Sequence, residues 1–289
     1  MMKNMKKLWA LLLALTMVLS LAACGGSKEE TAKEEAPAET QEEQAPVEEN
    51  ADADSDLAYV QDKGVLVVGI TDFEPMDYKD ADGNWIGFDA DMAQAFAESL
   101  GVDVEFVEID WDNKVLELDS QAIDCVWNGM TLTDEVTSAM ECSNAYCNNA
   151  QVVIVPADQA EKYQTAEDCA DLVFAVEAGS AGEAEVTALG YECTPVQSQA
   201  SALMEVAAGT CDAAVIDSLM AAAMVGEGTS YENLTYTAPL NSEEYGVGFR
   251  TGSDLAELLN EFFKASFADG TMQSCAETYG VQAALIEQK

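Results

Sequence analysis

The sequence predicts an α/β protein, on three observations. Short apolar runs of strand length alternate with stretches of helical period from Val65 to Phe263. Two runs, Gln121-Ala-Ile-Asp124-Cys-Val and Thr210-Cys-Asp212-Ala-Ala-Val, each bring an aspartate directly into a buried strand that ends in polar residues. Open α/β sheets hold ligands beyond such strand ends, and two facing sheets would set residues 128–131 and Asp217 across one cleft.

At the amino terminus Lys3, Lys6 and Lys7 precede an apolar run over residues 8–19 and then Leu21-Ala22-Ala23-Cys24. Residues 1–23 read as a cleaved secretory signal. The run is shorter than the ~20 residues a membrane span needs, so no transmembrane helix is expected in the mature chain. Leu-Ala-Ala-Cys followed by Gly25-Gly26-Ser27 resembles the lipobox of bacterial lipoproteins. That resemblance implies that Cys24 is the lipid attachment site, anchoring the chain outside the cell membrane. Residues 24–56 hold little but Glu, Ala, Pro, Gln and Asp, cannot bury a core, and read as an extended acidic tether. An acidic interaction tail is the alternative.

The folded part opens with a strand at Val65–Ile70, after which Asp89 is expected to cap a helix carrying Met92, Phe96 and Leu100 on one face, closed by Gly101. Residues 102–109 alternate as a strand, 113–118 form a short helix, and 123–127 form a buried strand that opens into a Gly-Met-Thr turn. A second series follows. It has strands at 151–155, 172–176 and 213–216, helices at 182–189, 201–208 and 218–225, and a capped helix start at Thr165 with Asp168. Residues 245–249 form one more strand. Leu255, Leu258, Phe262 and Phe263, then Met272, Cys275 and Tyr279, lie at helical spacing and read as core.

Composition excludes several classes. A formal net charge of −42, from 12 basic and 54 acidic residues, makes nucleic acid a very poor partner. With no histidine and no CxxC pair, zinc is not expected, and neither is any other metal or cofactor. No nucleophile is paired with a base, which argues against an enzyme. Seven cysteines remain beside Cys24; Cys142 and Cys147 are close enough in sequence to pair in an oxidising space, while Cys125, Cys169 and Cys211 look like core.

The most informative stretch is Asp124 to Val136. Gly129 lets a ligand lie close to the backbone, Thr131 and Thr133 add hydroxyls, and Asp134 and Glu135 suit the positive end of a beginning helix. Val136 is apolar and cannot pair with an anion.

The chain from Leu57 to Gly280 resembles the extracytoplasmic solute-binding proteins of polar amino-acid ABC transporters, bacterial family 3 type. The marks are Gly64 to Gly69 leading to Phe73-Glu74-Pro75-Met76; Asp82 to Asp91; Asp124 to Thr133; Tyr146; Glu177 to Ser180; Gly209 to Asp217; and Tyr245 to Gly248. The resemblance implies a two-lobed, periplasmic-binding-protein-like (type II) fold with a ligand cleft between lobes joined by two crossings. Lobe 1 would be residues 57–146 plus 245–289, and lobe 2 residues 147–244, closing by a hinge motion. It implies a monomer that binds an amino acid or related amine and delivers it to an ABC transporter permease. A ligand-sensing subunit for a membrane receptor is the alternative, and a cleft enzyme such as a dehydratase a more distant one.

By position, Phe73 and Trp111 would be the aromatic walls. Asn128, Gly129 and Thr131 would supply main-chain and hydroxyl contacts, and Ser180 with the Ala181 N–H would bind a carboxylate at a helix start. Asp217 would pair with the ammonium; a helix cap before Leu219 is the other reading, and one residue can do both. The family's carboxylate arginine falls on Val136, a departure that could remove roughly 1.5 to 3 kcal/mol of charge-assisted binding. The only arginine, Arg250, sits on the returning strand and reads as structural. Lys114 is the candidate substitute, or else an exposed helix lysine. Glu177 with Asp217 would make an acidic cleft that favours a cation or an ammonium-bearing ligand.

Overall fold

The computed structural model describes residues 55–289; the signal segment, Cys24 and nearly all of the tether lie outside the described residues. The described part begins with α1 (Asp56–Lys63), where the Ser55 hydroxyl accepts from the Ala58 N–H. It continues through β1 (Val65–Ile70), a hairpin of β2 (Tyr78–Lys79) and β3 (Trp85–Ile86), α2 (Phe88–Leu100) and β4 (Asp103–Glu108). A 3-10 turn at Trp111–Asn113 leads into α3 (Lys114–Asp119), followed by β5 (Cys125–Thr131), α4 (Asp134–Ala139), β6 (Glu141–Cys142) and β7 (Cys147–Asn149). The second series is β8 (Gln151–Pro156), β9 (Val173–Glu177), α5 (Ala181–Leu189), β10 (Glu192–Val196), α6 (Gln199–Ala208), β11 (Ala213–Asp217), α7 (Ser218–Met224) and β12 (Leu234–Pro239). The chain then returns through β13 (Glu243–Phe249), α8 (Leu255–Asp269) and α9 (Thr271–Tyr279).

These elements form two lobes, each on its own sheet. The first sheet runs β4-β1-β5-β13-β6, with β7 also on β13; the second runs β10-β9-β11-β8-β12. The orders correspond. In each lobe three parallel strands are followed by an antiparallel one, β13 beside β5 and β8 beside β11. The chain leaves the first sheet at Asn149, enters the second at Gln151, and returns between Pro239 and Glu243.

The repeated aspartates have one physical task in both lobes. Asp124 donates its backbone N–H to the Val67 carbonyl and accepts the Val67 N–H on its side chain, both at 2.7 Å, stitching β5 to β1. Asp212 does the same to Val173, each bond 3.0 Å, stitching β11 to β9. Asp124 is fully buried and its charge is met by Lys63 at 2.5 Å and by Arg250 at 3.5 Å. Arg250 also bonds Asp56 and the Ile123 carbonyl, so the one arginine fastens α1 and β5 to the returning strand and is structural, as expected.

Several local expectations are corrected. Asp89 does not cap α2, whose N-cap is Gly87; its carboxylate is instead fully buried, accepting the Gly129 N–H at 2.6 Å and the Tyr146 hydroxyl at 2.7 Å. The Gly-Met-Thr segment is no turn but the last part of β5, kinked at Gly129 (φ 53°), where the pairing with β13 slips in register. Thr165 and Asp168 bond each other reciprocally, yet only a 3-10 turn follows. Strands β10 and β12 have too many polar residues to stand out by pattern.

Cys142 and Cys147 face positions three residues apart on β13, and all seven cysteines among the described residues are unpaired. Cys125, Cys169 and Cys211 are buried. The α8 and α9 stripes do pack into the core, with Leu255, Phe263 and Met272 fully buried. Among the described residues no helix is long and apolar enough to cross a membrane.

Asp124→Ala would leave two cations and a buried N–H without their acceptor. Chemical denaturation is expected to show a loss of about 3–5 kcal/mol, and a loss under about 1 kcal/mol would contradict this role.

Candidate functional site

Between the lobes lies a cleft of about 1100 Å³, lined from the first lobe by the ends of β5, the Trp111 turn, α3 and α4, and from the second by the start of α5 and the ends of β9 and β11. The carboxyl ends of β5, β9 and β11 meet there, where the sheet topology puts a binding crevice. Every cleft residue expected from sequence lines it: Phe73, Trp111, Lys114, Asn128, Gly129, Thr131, Glu177, Ser180, Ala181 and Asp217.

Gly129 is required twice over. Its positive φ favours glycine, and a Cβ there would come within 2.6 Å of the Phe73 ring. Phe73 is thereby set against the strand end, with Tyr245 edge-on at 6.3 Å.

The polar groups of β5 are turned toward protein. The Asn128 amide oxygen accepts the Thr71 N–H (2.8 Å) and hydroxyl (2.7 Å), and its NH2 donates to Asp77 (2.8 Å) and the Thr71 carbonyl (3.2 Å). Gly129 donates to Asp89, and the Thr131 hydroxyl donates to Glu243 at 2.9 Å. Val136 is buried among Ile109, Trp111 and Met130 on the cleft wall, and Thr133 caps the helix beneath it.

Lys114 is not an exposed helix lysine. Only 9% exposed, it donates to the Trp111 carbonyl at 3.2 Å and across the cleft to the Gly179 carbonyl at 2.9 Å, its ammonium 5.0 Å from the Trp111 ring centre. Burial lowers its pKa, with Glu135, Glu177 and Asp112 pulling it back up. Gly179 has φ 70°, and a Cβ there would meet the Asp112 Cα at 2.8 Å, so backbone of one lobe rests against backbone of the other. Gln197 adds a bond to Asp110 at 3.3 Å. The lobes are therefore closed on each other at this edge.

On the second lobe, Ser180 caps α5, accepting the Glu183 N–H at 3.1 Å, while the Glu183 carboxylate reaches back to the Gly179 N–H at 2.7 Å. Asp217 starts α7 without capping it; the Asn149 amide oxygen accepts from the Ser218 hydroxyl and the Leu219 N–H instead. The Asp217 carboxylate is surrounded by the amides of Asn149, Gln151 and Gln199. Burial raises its pKa well above the usual carboxylate range, and the nearby Glu243 adds to the rise. Glu177 is 3% exposed, and one of its oxygens, Oε1, has no hydrogen-bond partner. Burial pushes its acid up to about 8, opposed chiefly by the Lys114 ammonium.

Sequence reasoning missed Asn149, Gln151, Gln199 and Glu243, which tie the two crossings to the cleft floor. Gln151 and Glu243 bond at 2.8 Å, and Asn149 and Glu243 at 2.6 Å. No local signal marks them, because their side-chain partners, Asn241 beside Glu243 apart, lie 18 to 112 residues away. Among the described residues no group of three His, Cys, Asp or Glu side chains could hold a metal.

The family model for bacterial extracellular solute-binding proteins, family 3, matches residues 66–282. The chain is 27% identical over 227 residues to the L-cystine-binding protein TcyJ of Escherichia coli (strain K12), covering 77% of this chain and 85% of that one. An ABC uptake transporter substrate binding protein from Streptococcus pneumoniae, solved with bound histidine, superposes with a TM-score of 0.73 at 28% identity, over 81% of this chain and 99% of the other. A shorter match, 30% over 115 residues and 39% of this chain, is to a cyclohexadienyl dehydratase of Pseudomonas aeruginosa, of which it covers 43%.

The Glu177 acid has a sign that can be tested. Its folded value, about 8, lies above the ordinary 4.5, so its stabilising effect is complete below about pH 4.5 and is lost as pH rises through 8. The thermal midpoint of Glu177→Gln is expected to gain on the natural chain between about pH 5 and about pH 9. Parallel curves would show that the carboxyl is ionised throughout.

Proposed function

The chain is a member of the bacterial extracellular solute-binding proteins, family 3, and from that premise we propose that its cleft captures an amino acid or related amine for an ABC transporter permease. One observation supports this above the others. Two buried carboxylates, Glu177 and Asp217, sit on one floor of a cleft whose walls include Phe73 and Trp111 and whose edge is latched by Lys114 on Gly179. An ammonium is the natural partner of that floor, and aromatic faces favour a cation or an apolar side chain. In this reading Asp217 and Glu177 take the ammonium, Phe73 and Trp111 enclose the side chain, and Ser180, Ala181 and Lys114 lie nearest any carboxylate. The crossings at 150 and 240–242 serve as hinges, and Cys24 as the lipid anchor that keeps the closed protein near its permease.

Catalysis is the reading favoured by the partial dehydratase match and by a buried, proton-holding Glu177. The absence of histidine leaves that acid without the usual partner for proton transfer, and the family's role is binding, so we read the chain as a binder. Mass spectrometry of the bound solute after long incubation is expected to return it unchanged; a product would overturn this.

A thermal-shift panel of amino acids and amines tests the function. A true ligand at 100 times its dissociation constant stabilises by ~2.7 kcal/mol, and stabilisation by anionic solutes alone would refute the reading. Gly179→Ala, which obstructs closure at Asp112 and also strains the backbone at φ 70°, is expected to weaken that ligand tenfold or more by calorimetry and to lower the unliganded midpoint by the strain alone. Unchanged affinity would remove the Gly179 contact from the closing motion.

A further inference from the structure

Resting on the reading of this cleft as the solute site, we propose that it is built for an aliphatic dication carrying no α-carboxylate, a diamine or amino-guanidine of the kind left when a basic amino acid loses its carboxyl group. The argument is the balance of donors and acceptors that the cleft presents.

A ligand carboxylate needs donors, and most of those near the cleft floor are engaged. Val136 offers none, and Arg250 is held by Asp56 and the Ile123 carbonyl. Gly129 donates to Asp89, the Thr131 hydroxyl to Glu243, and the amides of Gln151 and Gln199 to Asp217. Lys114 has two of its three protons on the carbonyls of Trp111 and Gly179. Among the described residues the starts of α4 and α5 both line the cleft, and first-turn N–H groups lack intrahelical partners. Both already carry carboxylates of the protein: Asp134 and Glu135 in the first turn of α4, and Glu183 at α5, bonded to the Gly179 N–H.

Acceptors are in surplus. Seven acidic residues line the cleft, against one basic residue, Lys114. Deep in it, Glu177 Oε1 is buried without any partner. At the mouth, Asp112 and Glu135 are exposed. The lining also holds apolar side chains from both lobes, Val115, Val136 and Ala139 from the first and Ala184 and Ala188 from the second. A methylene chain would lie against these, with one ammonium between Glu177 and Asp217 and the other near the acids at the mouth. The cleft volume exceeds what a single small amino acid fills, which leaves room for the second charged end.

The test compares each basic amino acid with its decarboxylated partner on the full chain by calorimetry: lysine with pentane-1,5-diamine, ornithine with butane-1,4-diamine, arginine with agmatine. The expected result is that at least one amine binds tenfold or more tighter than its parent. Glu183→Gln, which removes the carboxylate at the start of α5, is expected to narrow that gap by raising affinity for the parent amino acid. Equal or tighter binding of the amino acids in all three pairs would overturn the proposal. Binding of none of the six would overturn it as well. In that case a thermal shift with glutamine, histidine or cystine would leave the solute-binding reading standing, and no shift with any of them would sink that reading too.

Discussion

The carboxylates of Asp217 and Glu243, with the amides gathered on them, are the constraint on which the rest of the molecule depends. Glu243 begins the strand that returns to the first sheet, and it accepts from Thr131 of β5, Asn149 of the outgoing crossing, Gln151 of β8 and Asn241 of the returning crossing. Asp217 ends β11 and takes the amides of Asn149, Gln151 and Gln199. Both crossings, both sheets and the cleft floor therefore meet in one buried polar network. Such a network defines a geometry well when its members are satisfied, because any rearrangement strands a buried polar group. The carboxyl-terminal residues brace it from outside: Asn148 donates to the Ala284 carbonyl and Ile286 to that of Tyr146.

A second buried carboxylate system stands behind β5. Asp89 holds the Gly129 N–H, and Asp77 holds the Asn128 amide, so the end of β5 is positioned by acids from the β1–α2 region. Burial raises Asp89 to about 7 and Asp77 well above the usual range. The backbone of β5 is thus fixed before any solute arrives. The same bonds withdraw donors from the cleft, which links the strand's rigidity to the acceptor-rich character of the site.

Much of the fold was legible in the sequence, because apolar runs and glycine stops report directly on burial and backbone geometry. The Asp124 and Asp212 echo was visible as a pattern, and the structure supplies its reason, a side-chain bond to the neighbouring parallel strand. Asp89 misled because an aspartate at a helix start is ordinarily a cap, and only the fold reveals that a strand end and a tyrosine lie against it. Lys114 could be read two ways because its burial depends on Trp111 and on Gly179 of the other lobe. Gln151, Gln199 and Glu243 were illegible for the same reason: their roles exist only in contacts between distant segments.

The central claim is that the buried acids of the cleft floor receive the cation of the ligand. Glu177 holds its proton near neutrality in the folded chain, and an ammonium beside it would displace that proton. Calorimetry of binding at about pH 7 in buffers of different ionisation enthalpy counts the protons exchanged. The account predicts net proton release on binding, smaller in Glu177→Gln; proton uptake, or no exchange at all, would contradict it.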